Sequence, residues 1–138
     1  SSKNPSGTGP VKEKVIKVIH IENNYLFSHA GVSKTWLKNN SIKSINEIND
    51  YLIFKPSVFN FQSGANRSNI GNDITQSPIW IRPESIKNNC IDDYIQIVGH
   101  TMFNDIEINK KLYFIDSFNI SNKYLVINNN KPLIKTLS

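Results

Sequence analysis

The stretch YIQIVGHT, residues 94–101, decides how this sequence is expected to fold. Its first five residues are mostly β-branched or aromatic and predict a buried strand. Gly99-His100-Thr101 then breaks the strand at its carboxyl end. The stretch YLFSHAGV, residues 25–32, repeats the pattern: a short apolar strand, then His29. Because ligands of open α/β sheets collect outside the carboxyl ends of strands, the two histidines mark the expected functional edge of the sheet.

Short helices are predicted between these two strands. Ser33 is a typical N-cap for a helix over residues 34–38. Ser44, followed by Glu47 three residues later, has the pattern of a capping box for an amphipathic helix within residues 41–53.

The remaining predicted strands lie before and after these elements. Residues 11–21 are strand-like and are expected to form a hairpin with 25–28. The last third of the chain is predicted to be β, with strands at 106–108, 112–116, 124–127 and 132–137. Strands at both ends with helices in the middle indicate a layered α/β fold.

Two further segments lack regular periodicity. Residues 60–77 are polar, with two glycines and several asparagines, and predict a long loop of the kind that is often functional or mobile. The segment PIWIRP, residues 78–83, is predicted to be extended because two prolines bracket it. Residues 1–10 have turn and linker chemistry, and we expect a flexible arm or a tail left from expression.

Composition excludes several classes of protein. A chain of 138 residues corresponds to one domain or part of one, and no apolar run is long enough to span a membrane. The single cysteine, Cys90, excludes an internal disulfide and the usual zinc sites built from spaced Cys and His pairs. A lone thiol without a visible targeting segment predicts a cytoplasmic protein. The net charge of +5 is scattered and only two arginines are present, which disfavours nucleic acid as a partner.

Several residues could carry chemistry, each with a structural alternative. His29 and His100 could converge on one metal ion, or each could be a hydrogen-bonded loop histidine. Arg82 could bind a phosphate as a bidentate fork, or form a structural ion pair. Asp116, at a strand end, could be a ligand, an orienter of a histidine or a turn former. His20 is predicted to be a surface histidine.

The segments LFSHAGV at 26–32 and IVGHT at 97–101 resemble the calcineurin-like metallophosphoesterases. The chain is most similar to bacterial members of the serine/threonine phosphatase and diadenosine-tetraphosphatase branch. The segments PIWIRP at 78–83 and YFIDS at 113–117 also resemble that branch. The resemblance extends from about Val15 to the C-terminus.

This resemblance implies a four-layered α/β/β/α sandwich with two divalent metal ions, typically manganese, iron or zinc, at the strand ends. It implies that His29 and His100 are ligands of the second metal and that Arg82 contacts a phosphorylated substrate. The Asp-x-His, Gly-Asp and Gly-Asn-His blocks of that family are absent, so residues 11–138 are expected to form only its C-terminal half. The expected architecture is mainly β-strands with two or three short helices.

The missing blocks affect the expected activity. The missing Gly-Asp block carries the aspartate that bridges the two metals in the family that the chain resembles. The chain is therefore expected to descend from a metal-dependent phosphoester hydrolase and to be inactive alone. Half a sandwich exposes a sheet face, which predicts pairing with the missing N-terminal half or with a second copy. The alternative is a non-catalytic binding or assembly module derived from the same fold.

Overall fold

The computed structural model describes residues 16–62 and 70–138. Its strands are β1 (Ile19–Glu22), β2 (Tyr25–Ser28), β3 (Ile95–Val98), β4 (Glu107–Asn109), β5 (Leu112–Phe114), β6 (Lys123–Asn128) and β7 (Lys131–Thr136). Its α-helices are α1 (Lys34–Asn39), α2 (Ile48–Phe54), α3 (Pro83–Asn89) and α4 (Phe118–Ser121), with 3₁₀ turns at Ile45–Glu47 and Pro56–Phe59. None of the helices in these two ranges is long and apolar enough to cross a membrane.

The strands form a mixed sheet and a separate hairpin. The sheet has the order β1-β2-β3-β5-β4, with β2, β3 and β5 parallel and the two outer strands antiparallel to their neighbours. The hairpin consists of β6 and β7. The prediction of an α/β fold with β-strands and a few short helices is therefore confirmed, whereas the four-layered sandwich is not.

The two faces of the sheet differ because successive residues of a strand point to opposite sides. Leu26, Gln96 and Leu112 are register partners across the three parallel strands, and all are almost fully buried. Their face packs against the helices, through one core cluster around Trp36 and another around Ile86. The helices thus cover one side of the sheet.

A buried glutamine connects the sheet to the segment that follows β2. The side-chain amide of Gln96 accepts a hydrogen bond from Val32 N–H at 2.8 Å and donates one to Val32 C=O at 3.1 Å. Both backbone groups of Val32 are satisfied although the residue is fully buried. This pairing fixes the path of the chain between β2 and α1, which is the segment that contains His29.

The hairpin lies against the opposite side of the sheet. Tyr25 alternates with Leu26 along β2, so its side chain leaves the sheet on the side away from the helices. Its hydroxyl donates to the backbone carbonyl of Asn130 at 3.1 Å. Asn130 and Asn129 occupy the left-handed region, with φ of 63° and 50°, which asparagine tolerates well in tight turns.

Several element predictions need correction. The first predicted strand shortens to Ile19–Glu22, and residues 11–15 lie outside the described residues. The helix predicted within 41–53 begins as a 3₁₀ turn, in which Ser44 Oγ accepts from Asn46 N–H. The segment 78–83 is not extended throughout, because Pro83 is the first residue of α3. Proline suits that position, since its fixed φ is helical and its missing N–H is not needed there.

Candidate functional site

The two predicted histidines meet at one edge of the sheet. Strands β2 and β3 are parallel neighbours with Ser28 paired to Val98, so His29 and Gly99 leave the sheet at the same level. Gly99 N–H donates to His29 C=O at 2.9 Å, which continues the ladder one step beyond the strands. The sequence prediction that strand ends would bring these histidines together is therefore correct in its geometry.

The two imidazoles are in direct contact. His29 Nε2 lies 2.8 Å from His100 Nδ1, and the ring centroids are 4.6 Å apart with nearly edge-on planes. His29 is exposed, while His100 is half-buried. We refer to these two side chains as the histidine pair.

The backbone of His100 is strained. Its φ is +69°, and Thr101 N–H donates to Gly99 C=O at 2.8 Å across it. This combination is a γ-turn with a left-handed central residue, a rare and strained conformation for a residue with a side chain. Strain of this kind concentrates at functional sites, where surrounding contacts maintain it.

The environment of His100 favours the neutral imidazole. Burial lowers the pKa of His100 below its ordinary value, and the positive Arg82 and the neighbouring His29 lower it further. The backbone of Trp80 acts in the opposite direction but does not reverse the shift. The buried Nε2 of His100 has no close hydrogen-bond partner within residues 16–62 and 70–138.

Arg82 lies next to the histidine pair and is held from two sides. Its Nε–H donates to the carbonyl of Ile70 at 2.6 Å, and its Nη1–H donates to Thr101 Oγ1 at 3.0 Å. Both acceptors are neutral. The ion pairs found among the described residues do not include Arg82, so the structural ion pair considered as an alternative is not found there.

The donor set of the histidine pair suits a divalent transition metal. Imidazole nitrogens bind such ions at about 2.0–2.1 Å, so two of them on adjacent positions of one ion lie roughly 3 Å apart. The observed 2.8 Å separation is close to this spacing, and it is also that of a hydrogen bond between the two rings, the structural alternative considered from the sequence. No group of three or more His, Cys, Asp or Glu side chains that could hold a metal occurs in the described residues. The described part of the chain therefore brings together only two side chains that could bind a metal at this place.

The other residues considered from the sequence form no metal-binding group with the pair among the described residues. Asp116 is exposed in the turn after β5, and its backbone carbonyl accepts from Phe103 N–H of a separate segment. His20 is exposed on β1 and contacts Glu22 at 3.1 Å. Cys90 is a free, half-buried thiol that packs against the second core cluster.

Sequence reasoning missed the residues that hold Arg82. The Thr101 hydroxyl and the Ile70 carbonyl are its two acceptors, and neither was singled out. Gly71 could have been a signal for the second of these. Its φ is +85°, and a Cβ there would lie 2.6 Å from the carbonyl oxygen of Trp80, so only glycine fits. Part of the predicted loop, residues 63–69, lies outside the described residues.

The lowered pKa of His100 predicts a pH-dependent stability. The unfolded chain binds the proton more readily than the folded chain. The free energy of unfolding should therefore fall as the pH drops from the ordinary pKa of 6.5 through the folded-state pKa. Above pH 6.5 this histidine should have no effect on stability. Urea unfolding across this pH range measures the effect. In His100→Gln the titrating group is gone, so that part of the pH dependence should disappear; an identical pH profile in both proteins would contradict the prediction.

Comparisons with known proteins return only structures. No family model matches the chain, and no curated protein matches it. Among solved structures, the cold-active protein tyrosine phosphatase of a psychrophile, Shewanella sp., matches with a TM-score of 0.54 and 18% identity. A mutant of a cold-active protein tyrosine phosphatase matches with a TM-score of 0.55 and 18% identity. Each match covers 86% of this chain and 40% of the matched chain.

These matches correct the family assignment made from the sequence. The matching structures are described as protein tyrosine phosphatases, and no family model supports the calcineurin-like metallophosphoesterases. The motifs that carried the resemblance are five to seven residues long, too short to identify a family without such support. At 18–19% identity the likeness extends to the fold alone. The chain spans about 40% of the length of the phosphatases it matches, and its fold resembles that part of theirs.

Proposed function

We propose that this chain provides the metal-binding and phosphate-binding part of a phosphoester hydrolase. In this proposal His29 and His100 are ligands of a divalent metal ion, and Arg82 binds the phosphate. The observation that carries the proposal is the position of the Arg82 guanidinium, which has only neutral hydrogen-bond partners among the described residues and donates to Thr101, the residue that follows His100 of the histidine pair.

The state of Arg82 favours an anionic ligand. Of its five N–H groups, two donate to the neutral oxygens of Ile70 and Thr101. The other three have no acceptor within the described ranges, and a guanidinium is charged at all relevant pH values. A phosphate offers several charged oxygens in the geometry that such donors match. We therefore assign Arg82 to the substrate phosphate.

The state of the histidine pair favours a metal ion. Only a neutral imidazole binds a metal, and the environment of His100 lowers the pKa of this side chain and keeps it neutral. A divalent ion there would supply Lewis-acid polarisation of a phosphate oxygen. The role of the protein is to hold the two nitrogens at the required spacing and to position Arg82 on the same side.

The remaining parts of the site are assigned to residues outside the described ranges. Two ligands leave most positions of a transition metal open, and the match covers only 40% of the length of the matched phosphatases. We propose that the isolated chain has little or no turnover. The further metal ligands would come from the rest of a larger domain, as long as the matched phosphatases, or from a second copy of this chain. The matched structures are protein tyrosine phosphatases, which supports a phosphorylated substrate.

A metal titration tests the proposal. Isothermal titration of the 138-residue chain with Zn²⁺ or Mn²⁺ should show one binding event that requires both imidazoles. His29→Ala and His100→Ala should each weaken metal binding by about tenfold or more, because a two-ligand site becomes a one-ligand site.

His20→Ala is the matched control. It removes an exposed imidazole of β1 that lines the same cavity as His29 but contacts Glu22 and not the pair, and it should leave the affinity unchanged. Equal loss in all three variants would mean non-specific binding by surface histidines. No detectable metal binding by the wild-type chain would favour the alternative function, a non-catalytic module.

A further inference from the structure

Two neutral groups from distant segments hold the Arg82 guanidinium. The Ile70 carbonyl accepts from Nε–H at 2.6 Å, and the Thr101 hydroxyl accepts from Nη1–H at 3.0 Å. Because a guanidinium is planar and rigid, bonds at two of its nitrogens fix both its plane and its rotation within that plane. Its remaining donors therefore have a fixed direction before any ligand arrives.

Thr101 is itself fixed by the strained turn that orients His100. The Thr101 N–H donates to Gly99 C=O at 2.8 Å, and Gly99 N–H donates to His29 C=O at 2.9 Å. One short backbone path thus connects the end of β2, the imidazole of His100 and the hydroxyl of Thr101. At this strained turn two consecutive side chains have different partners: His100 contacts His29, and Thr101 contacts Arg82.

We propose that Thr101 is a positioning residue, whose hydroxyl holds the Arg82 guanidinium in the orientation that binds a phosphate oxyanion beside the histidine pair. This inference rests on the proposed function of Arg82 and adds the residue that prepares it. A guanidinium that is already ordered loses less side-chain entropy when it binds, so its affinity for phosphate is higher than that of a mobile one. The distance between the two side chains in sequence, 19 residues, means that only the folded chain makes this contact.

The test compares Thr101→Val with Thr101→Ser. Valine keeps the shape of threonine but has no acceptor, whereas serine keeps the hydroxyl and loses only the methyl group. Thr136→Val, in β7, is the control for a Thr-to-Val change away from the site. Amide NMR spectra of all variants establish that the chain remains folded.

Two readouts separate the positioning of Arg82 from its function. The first is the NMR signal of the Arg82 Nε–H and its rate of exchange with water, which reports order without any ligand. The second is the affinity for inorganic phosphate, measured by titration with the metal ion present. In Thr101→Val we expect faster exchange of the Arg82 signal and about tenfold weaker phosphate binding. Thr101→Ser and Thr136→Val should remain within about twofold of wild type.

Each other outcome overturns one specific statement. An unchanged Arg82 signal in Thr101→Val means that the hydroxyl does not position Arg82. Equal impairment in Thr101→Ser means that the methyl group, not the hydroxyl, is responsible. If the Arg82 signal responds as expected but the wild-type chain binds no phosphate, the ordering of Arg82 is correct and the proposed phosphate site, with the positioning role assigned to Thr101, is wrong.

Discussion

Replacing Arg82 by alanine should weaken the binding of inorganic phosphate by about a hundredfold. Hydrogen bonds to charged groups contribute about 1.5–3 kcal/mol each, and a bidentate contact of the free N–H groups would lose two of them. A loss of about 3 kcal/mol corresponds to roughly two orders of magnitude in affinity. Titration calorimetry at low ionic strength, with the metal ion present, measures the change, since salt screens exposed charges.

Two further variants separate geometry from charge. Arg82→Lys keeps the positive charge but replaces the planar fork with a point charge, so we expect an intermediate loss of about tenfold. Lys38→Ala removes the same charge from an exposed position of α1 and should have almost no effect. If Lys38→Ala weakens phosphate binding as much as Arg82→Ala, the attraction comes from net charge and not from a site.

Trp36→Ala should produce the largest loss of stability, about 3–5 kcal/mol. Trp36 is fully buried, its ring centroid lies 5.7 Å from that of Phe59, and its Nε1–H donates to the carbonyl of Val58 at 3.0 Å. The substitution removes a large apolar volume and leaves a buried carbonyl without its donor. Because domains of this size are stable by only about 5–15 kcal/mol, urea unfolding should show a large shift of the midpoint.

Trp36→Phe measures the hydrogen bond separately. Phenylalanine keeps most of the packing but cannot donate to Val58, so a smaller loss of about 1–3 kcal/mol is expected. Trp80→Ala is the matched control, because it removes the same type of side chain from a position that is 38% exposed. A loss in Trp80→Ala equal to that in Trp36→Ala would contradict the assignment of Trp36 to the centre of the core.

Strand positions were predictable because their signal is local. The runs before His29 and His100 are apolar and rich in β-branched or aromatic residues, and their ends coincide with the strand ends of the structure. Since parallel neighbours end at the same edge, the predicted strand ends allowed the two imidazoles to meet, and the parallel pairing of β2 with β3 in the structure brings them together. The short hairpins were equally visible, as asparagine-rich turns separate their strands.

Other features depend on contacts that no local pattern encodes. The positive φ of His100 is imposed by the turn between Gly99 and Thr101, and histidine as a residue type does not indicate it. The partner of Arg82, Thr101, lies in a separate segment and is selected by tertiary packing. The start of α3 at Pro83 was missed because the two prolines around residues 78–83 also fit an extended segment. The family assignment rested on short motifs and did not agree with the comparisons.

The parallel pairing of β2 with β3 also links ligand binding to folding. His29 and His100 are 71 residues apart in sequence, so the histidine pair does not exist until the chain has closed that loop. Closing a flexible loop of this length costs about 4 kcal/mol in chain entropy, apart from a constant. A ligand that requires both imidazoles therefore binds only the folded state, and at a concentration of a hundred times its dissociation constant it would add about 2.7 kcal/mol to the free energy of unfolding. A metal ion bound as proposed would therefore stabilise the folded chain in addition to taking part in the reaction.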